Sequence, residues 1–229
     1  MTKQKQTKTK NKMQSHRIIA ISGKIGSGKT TLAKAIADKY NYKIKSLAEK
    51  LREVCGMLGG FDKEDSRSSF HKQLIVDDWI QGDNKVTRGE MLQLIGQHMR
   101  KIKDDVWLTA LFSDYDEKND FWIIDDLRHK NEADFLKSKG ALIIRLEGDP
   151  AKTRATCKRN WNHISEVDLD NYDKFNLTFD TNSMETEEIV DFIAKYCFLT
   201  HKIRTNTFEP SKSNVQSSSL LEFDHVDMD

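Results

Sequence analysis

An eight-residue loop near the start of the chain has the residue types that hold a nucleoside triphosphate. Residues 23–30 read GKIGSGKT and match the pattern GxxxxGK[ST]. The glycines let the backbone turn tightly, so that successive N–H groups surround phosphate oxygens. In this pattern Lys29 reaches the β- and γ-phosphates, and the Thr30 hydroxyl binds Mg²⁺. The residues predicted to contact the triphosphate are Gly23, Lys24, Ile25, Gly26, Ser27, Gly28, Lys29, Thr30 and Thr31.

The segments on either side of this loop agree with that prediction. Residues 17–22 form a short β-branched run, which predicts a strand, and apolar residues at helical spacing predict a helix over 29–40. A helix that begins at the loop adds its N-terminal dipole to the binding of anions. The alternatives are a chance glycine-rich turn and a loop that binds the triphosphate without catalysing. The flanking strand and helix favour the phosphate-binding loop over both.

A pair of acids follows a second apolar run. Residues 121–126 predict a buried strand that ends in Asp125 and Asp126. Two adjacent acids at a buried strand end cost free energy unless they meet a cation. We therefore predict that Asp126 and Thr30 together orient Mg²⁺. The alternative is a pair of ordinary strand-end caps.

The remaining apolar patterns alternate between strand and helix. Further strands are predicted at 42–46, 141–146 and 176–181, and helices at 47–58, 66–82, 104–112, 130–138 and 185–198. One more helix should follow Thr87, because Thr87 and Glu90 have the spacing of a capping box. Strands alternating with helices predict an α/β architecture with a mostly parallel sheet, in which ligands bind beyond the carboxyl ends of the strands.

The composition sets limits on the partners and the setting of the protein. The 229 residues carry a formal net charge of +1, which calls for neither a nucleic acid nor a membrane partner. The three cysteines, Cys55, Cys157 and Cys197, lack the spacing of a zinc or redox site and favour a reduced, cytoplasmic environment. No apolar run is long enough to cross a bilayer.

Both ends of the chain differ from its middle. Residues 1–15 carry five lysines and no acid, which predicts a disordered basic tail, and 200–229 are Ser-rich with an acidic end, which predicts a flexible tail. The domain is therefore expected to span 16–199. The sequence leaves a homodimer open.

Several segments, in this order, resemble the deoxynucleoside monophosphate kinases of bacteriophages and large DNA viruses, within the P-loop nucleotide kinases. The resemblance covers roughly residues 17–195 and leaves both tails out. After the loop, its parts are LAEKLR at 47–52, MLQLIG at 91–96 with Arg100, DVW at 105–107, IDDLR at 124–128 with Asn131 and Glu132, and HISE at 163–166.

The resemblance implies a three-layer P-loop kinase fold with a five-stranded parallel sheet, a helical acceptor-binding insertion and a small lid. It also implies that Mg²⁺ and ATP supply a phosphoryl group to a deoxynucleoside monophosphate, which becomes the diphosphate. The residues implied at the acceptor are Arg52, Arg88, Gln93, Arg100, Trp107, Arg128 and Glu132. Those implied in catalysis are Lys29, Asp126, Arg128, Arg154 and Arg159.

The predicted lid, about residues 151–166, is rich in cations. Lys152, Arg154, Lys158 and Arg159 follow the strand at 141–146. At this place a helix would cover the triphosphate, so we predict that Arg154 and Arg159 stabilise the transferring group. The alternative is a solvated basic helix face.

The chain also departs from the family pattern. The family arginine four residues before Gln93 is Gly89 here, and Arg88 lies one helical step, about 100°, away. The family's Gly-Thr-Glu is replaced by Gly96, Gln97 and His98, which puts the preferred base in doubt.

Other functions stay open at this point. One is a P-loop kinase of another small molecule, such as a coenzyme A precursor or phosphomevalonate. Another is an NTP-binding nucleic-acid module that uses the basic tail, and a third is an interaction protein with an inert nucleotide site.

Overall fold

A five-stranded parallel sheet forms the centre of the computed structural model, which describes residues 16–68, 70–150, 152 and 164–206. The strands are β1 (Ile18–Gly23), β2 (Lys43–Lys45), β3 (Ile75–Gln81), β4 (Asn84–Thr87), β5 (Trp122–Leu127), β6 (Leu142–Glu147) and β7 (Leu177–Asp180). The central sheet has the order β2-β5-β1-β6-β7, and β3 pairs with β4 in a separate antiparallel hairpin. The predicted five-stranded parallel sheet is confirmed.

Helices cover the sheet and build an insertion beside it. They are α1 (Lys29–Tyr40), α2 (Glu49–Gly59), α3 (Arg88–Ile102), α4 (Val106–Phe112), α5 (Lys130–Ser138), α6 (Ile164–Val167) and α7 (Thr186–Asn206). Two short 3₁₀ turns, Asp65–Arg67 and His71–Gln73, lie between α2 and β3. None of the helices in the described ranges is long and apolar enough to cross a bilayer.

The central strands are apolar on both faces because helices pack on both sides of the sheet. Ile19 and Ile144 belong to one core cluster, which includes residues of α1 and α7. Ile18 and Ile143 belong to a second cluster, which includes residues of α4 and α5. Successive residues of a strand face opposite sides, so neighbours along β1 and β6 belong to different clusters. The predicted three-layer α/β class is confirmed.

Residues 49–112, inserted between β2 and β5, have a core of their own. Its buried members are Leu51, Cys55, Val76, Val86, Met91 and Trp107. They come from α2, the β3–β4 hairpin, α3 and α4, so this core holds the insertion together at the side of the sheet. The resemblance implied a helical insertion, and this one consists of three helices, two 3₁₀ turns and the β3–β4 hairpin.

The helix predicted over 66–82 is wrong. The segment contains the two 3₁₀ turns and β3, which turns into β4 through Gly82 and Asp83. Gly82 has a φ of 62°, which suits the tight turn of a two-residue hairpin loop. The β-branched Ile75 and Val76 favour a strand, and burial of Val76 in the insertion core selects it over a helix.

Other predicted boundaries hold or move slightly. The capping box of Thr87 and Glu90 begins α3, and α5 has the predicted bounds. The last helix, α7, continues to Asn206, beyond its predicted end at 198 and into the segment predicted as a tail. Residues 1–15, 69, 151, 153–163 and 207–229, which include most of the predicted lid, lie outside the described residues.

Candidate functional site

The phosphate loop, residues 23–30, joins β1 to α1 at the carboxyl edge of the sheet. All three of its glycines have positive φ: Gly23 at 156°, Gly26 at 83° and Gly28 at 84°. A Cβ atom on Gly23 would lie 2.3 Å from Ser27 Oγ and 2.6 Å from the Leu146 carbonyl oxygen, so the loop is tightly packed against β6. The first turn of α1 carries no acid, and such a helix start favours an anion.

The Lys29 side chain is partly buried among charges. Its Nζ donates to the carbonyl oxygens of Gly23 at 2.7 Å and Lys24 at 2.8 Å. Burial, followed by the positive charge of Arg128, lowers the pKa of Lys29 to about 8, while the carboxylates of Glu166 and Asp125 oppose that shift. Lys29 therefore lies close to groups from β5, the β5–α5 corner and α6.

The Thr30 hydroxyl meets a carboxylate from β5. Thr30 Oγ1 donates to Asp125 Oδ2 at 2.9 Å. Burial and the adjacent Asp126 raise the pKa of Asp125, while the hydrogen bond from Thr30 and the positive charge of Lys29 oppose that shift. Mg²⁺ prefers oxygen ligands and commonly uses one or two carboxylates together with phosphates of the substrate. The hydroxyl and the carboxylate therefore fit a magnesium ion.

Asp126 lies elsewhere, which corrects its predicted pairing with Thr30. Its carboxylate accepts hydrogen bonds from Ser46 Oγ, from the Leu47 N–H at 2.8 Å and from the Ala48 N–H at 3.3 Å. The pairing of β5 with β1 shifts register between Ile124 and Leu127, and across this irregularity the two acids take different partners. Asp126 instead fixes the segment from which α2 begins.

A cavity of about 770 Å³ lies between α2 and α3 of the insertion, the β5–α5 corner and α6. Its lining includes the cations Arg52, Lys72, Arg100 and Arg128 and the amides Gln93 and Gln97. This volume is within the range of small-molecule sites. Of the residues predicted at the acceptor, the structure brings Arg52, Gln93, Arg100 and Arg128 together here.

Two of these arginines meet buried carboxylates. Arg128 Nη1 donates to Glu166 Oε1 at 2.6 Å and to the Ser165 carbonyl oxygen at 3.3 Å. Arg100 Nη2 lies 3.6 Å from Glu132 Oε1. Glu132 is 4% exposed, and burial raises its pKa. It accepts hydrogen bonds from the N–H groups of Arg128 and His129, so it fixes the start of α5 and does not face the cavity.

Arg88 and Trp107 were also predicted at the acceptor, but neither lines this cavity. Arg88 Nη1 donates to Asp65 Oδ2 at 3.3 Å, and the guanidinium lies 4.6 Å from the centre of the Phe61 ring. Trp107 belongs to the buried core of the insertion and donates through Nε1 to the Gly96 carbonyl oxygen at 3.3 Å. Both side chains stabilise the walls of the cavity. Arg154 and Arg159 lie outside the described residues.

Sequence reasoning missed two charged residues beside the phosphate loop. Arg145 on β6 is 8% exposed and donates to Ser22 Oγ at 3.2 Å and to Asp170 Oδ1 at 3.1 Å. The other oxygen of Asp170 accepts from Lys24 Nζ at 2.8 Å. The sequence did contain a signal for this pair, since Arg145 follows three apolar residues in the strand LIIRLE. A buried arginine requires a charged or polar partner.

Comparison with known proteins supports the resemblance that the motifs indicated. The "Putative deoxynucleotide monophosphate kinase" of Acanthamoeba polyphaga mimivirus is 27% identical over 179 aligned residues, which cover 72% of this chain and 88% of that protein. The "Cytidylate kinase" of Archaeoglobus fulgidus is 25% identical over 182 residues, covering 77% and 92%. The resemblance to viral deoxynucleoside monophosphate kinases is thus confirmed at the level of sequence. No family model matches the chain.

Solved structures of small-molecule kinases also align with the chain. Shikimate kinase from Acinetobacter baumannii aligns with a TM-score of 0.46 and 13% identity, covering 87% of this chain and 99% of that one. A gluconokinase from Sinorhizobium meliloti 1021 aligns with a TM-score of 0.42 and 15% identity, covering 83% and 97%.

Proposed function

We propose that this chain, a P-loop kinase of the phosphotransferase class, moves the γ-phosphate of ATP to a deoxynucleoside monophosphate and so produces the diphosphate for DNA synthesis. The proposal rests on the position of the Arg128 side chain. Its side chain lines the acceptor cavity and also lies close enough to Lys29 to lower the pKa of that lysine. The cavity therefore lies next to the phosphate loop, as the hydrogen bond from Thr30 of that loop to Asp125, three residues before Arg128, also indicates.

The chemistry of the cavity supports a nucleotide as the acceptor. Arg52, Arg100 and Arg128 present guanidinium groups, whose planar arrangement of donors suits the oxygens of a phosphate. Gln93 and Gln97 add amides that can both donate to and accept from a base. The names of the two curated relatives support the same class of substrate, and the viral origin of one of them supports a host-cytoplasm setting.

Phosphoryl transfer asks the protein mainly for positioning and for neutralisation of charge. In this proposal the loop and Lys29 hold the triphosphate, and Lys29 exchanges its bonds to the Gly23 and Lys24 carbonyls for bonds to phosphate oxygens. Thr30 and Asp125 would hold Mg²⁺, which would offset the negative charge of the phosphates. Arg154 and Arg159, which lie outside the described residues, are proposed to stabilise the transferring group as cations.

The proposal is tested with Mg²⁺, ATP and a panel of deoxy- and ribonucleoside monophosphates, with release of ADP and formation of the diphosphate as readouts. We expect turnover of at least one deoxynucleotide. ATP binding without turnover of any nucleotide would refute the proposed acceptor and favour a non-nucleotide substrate or an inert site.

The role of the loop is tested with Lys29→Ala. We expect turnover to fall by about 100-fold or more, because a cation directed at the transferring phosphate is lost. The matched control is Lys34→Ala, since Lys34 is an exposed lysine on α1. Unchanged turnover in folded Lys29→Ala would remove the phosphate loop from the reaction.

A further inference from the structure

The segment that includes α6 places three carboxylates at alternate positions, and each binds a different part of the site. Glu166 accepts from Arg128 Nη1 at 2.6 Å. Asp168 accepts from the Lys130 N–H at 3.1 Å and lies 3.2 Å from His129 Nδ1. Asp170 accepts from Arg145 and from Lys24 through its two oxygens. We call residues 166–170 the acidic segment.

The two outer acids of this segment serve different sides of the site. Glu166 binds Arg128, which lines the acceptor cavity. Asp170 joins Lys24 of the phosphate loop to Arg145 of β6, and Arg145 also donates to Ser22 just before the loop. One short segment therefore contacts the cations of the donor side and of the acceptor side through separate side chains.

Burial of at least one partner makes the Glu166–Arg128 and Asp170–Arg145 pairs more than surface ion pairs, whereas Lys24 and Asp170 are 32% and 33% exposed in their pair. The Glu166 side chain is 1% exposed and that of Arg128 is 27% exposed, while Arg145 is 10% exposed in its pair with Asp170. Charge pairs are stronger where water is excluded, and removal of one partner leaves the other charge uncompensated. Arg128 uses Nη1 for its bonds to both Glu166 and Ser165, which fixes the orientation of the guanidinium plane.

We propose that Glu166 and Asp170 are positioning residues with separate tasks: Glu166 orients Arg128 toward the acceptor phosphate, and Asp170 holds Lys24 and Arg145 at the donor triphosphate. The inference about Glu166 rests on the proposed function. The inference about Asp170 requires only that the phosphate loop binds a triphosphate, whatever the acceptor is.

The test compares Glu166→Gln with Asp170→Asn, which keep the size of each side chain and remove its charge. Glu166→Gln should raise the KM for the acceptor or lower kcat by roughly tenfold, since misplaced catalytic groups lose rate steeply, with ATP affinity within about twofold of wild type. Asp170→Asn should weaken ATP binding, measured by calorimetry without an acceptor, by several-fold, while the acceptor KM stays within about twofold.

Asp134→Asn is the matched control. Asp134 on α5 accepts from Tyr172 and Lys174, so it holds the chain just beyond the acidic segment without contacting a cation of the site. We expect this variant to leave ATP affinity and acceptor KM unchanged. If all three variants change ATP affinity and acceptor KM alike, the acidic segment is only structural and the proposal is overturned. The proposal is also overturned if ATP affinity and acceptor KM are unchanged in Glu166→Gln and in Asp170→Asn.

A double-mutant cycle separates action through Arg128 from a general loss of structure. In an Arg128→Ala background, Glu166→Gln should have no further effect on the acceptor KM. If Glu166→Gln alone fails to fold, the double variant removes both charges of the pair and keeps the comparison possible. An equal effect of Glu166→Gln with and without Arg128 overturns its positioning role.

Failure of the proposed function gives a different result. If the wild-type protein turns over no nucleotide, the proposed acceptor is wrong. The ATP affinity of Asp170→Asn still tests whether Asp170 positions Lys24 and Arg145, which is the donor half of the inference. The acceptor half is then decided by the rate at which phenylglyoxal modifies Arg128, followed by mass spectrometry. That rate should rise several-fold in Glu166→Gln, with Arg52 as an internal reference, and an unchanged rate overturns this half.

Discussion

At the scale of single residues, the assignment of the metal ligand depends on which of two adjacent acids faces the phosphate loop. Asp125 accepts a hydrogen bond from Thr30, whereas Asp126 binds the Ser46–Ala48 segment before α2. The sequence indicated a pair of acids at a strand end and the need for a cation. It did not indicate which acid faces Thr30, because that depends on where β5 pairs with β1 and on the shift of register between them.

We predict that Asp125→Asn lowers kcat by about 100-fold and raises the Mg²⁺ concentration needed for half-maximal activity, because an amide is a poorer ligand than a carboxylate. Asp126→Asn should leave the Mg²⁺ requirement within about twofold and raise the acceptor KM, since α2 carries Arg52. Titration of kinase activity with Mg²⁺ at saturating ATP distinguishes the two variants. A raised Mg²⁺ requirement in Asp126→Asn alone would restore the assignment made from the sequence.

At the scale of elements, the phosphate loop depends on its close contact with β6. A Cβ on Gly23 would meet the Leu146 carbonyl oxygen at 2.6 Å, and backbone cannot move aside as a flexible side chain can. We predict that Gly23→Ala reduces ATP affinity at least tenfold, because the loop must shift to admit the methyl group. ATP binding by calorimetry, with circular dichroism to verify folding, measures the effect.

Gly140→Ala is the control for the backbone alone. Gly140 also has a positive φ, 74°, but an added Cβ would meet no atom within 4 Å. This variant should lose about 1 kcal/mol of stability and keep wild-type ATP affinity. If Gly23→Ala behaves in the same way, the contact with β6 does not shape the loop.

The β3–β4 hairpin shows what the sequence left undetermined at this scale. The apolar residues between 66 and 82 are compatible with helical spacing, so periodicity alone did not distinguish helix from strand. Gly82 and Asp83 between two β-branched stretches were a local signal for a hairpin. The decisive factor is the burial of Val76 and Val86 beside Trp107, which no local pattern reveals.

At the scale of the whole molecule, the layers were predictable and the connections across the site were not. Continuous apolar runs in β1, β5 and β6 predict strands covered on both faces, and the structure confirms them. The contacts that build the site join distant residues, as in the pair of Lys24 and Asp170. Such pairs depend on the order of strands in the sheet, and residue spacing carries no information about that order.

His16 and Arg17, which precede β1, make contacts with several other parts of the fold. His16 is 6% exposed, its carbonyl oxygen accepts from Tyr42 Oη at 2.5 Å, and its Nδ1 lies 3.2 Å from the Gly140 carbonyl oxygen. The Arg17 guanidinium lies 4.8 Å from the centre of the Phe121 ring. These contacts tie residues 16 and 17 to the sheet, whereas residues 1–15 carry none of the residues assigned to the site.

We therefore predict that removal of residues 1–15 leaves the melting temperature and the kinase kinetics unchanged. Removal of residues 1–17 should lower the free energy of unfolding by about 1–3 kcal/mol, because it deletes the buried hydrogen bond of Tyr42. For both deletions, thermal and urea unfolding measure stability, and the nucleotide panel measures the kinase kinetics. If the shorter deletion instead abolishes turnover, residues 1–15 contribute to the kinase reaction. If it abolishes a salt-sensitive binding of DNA, the five lysines of this segment bind phosphates that the kinase site does not contact, and the segment has a function of its own.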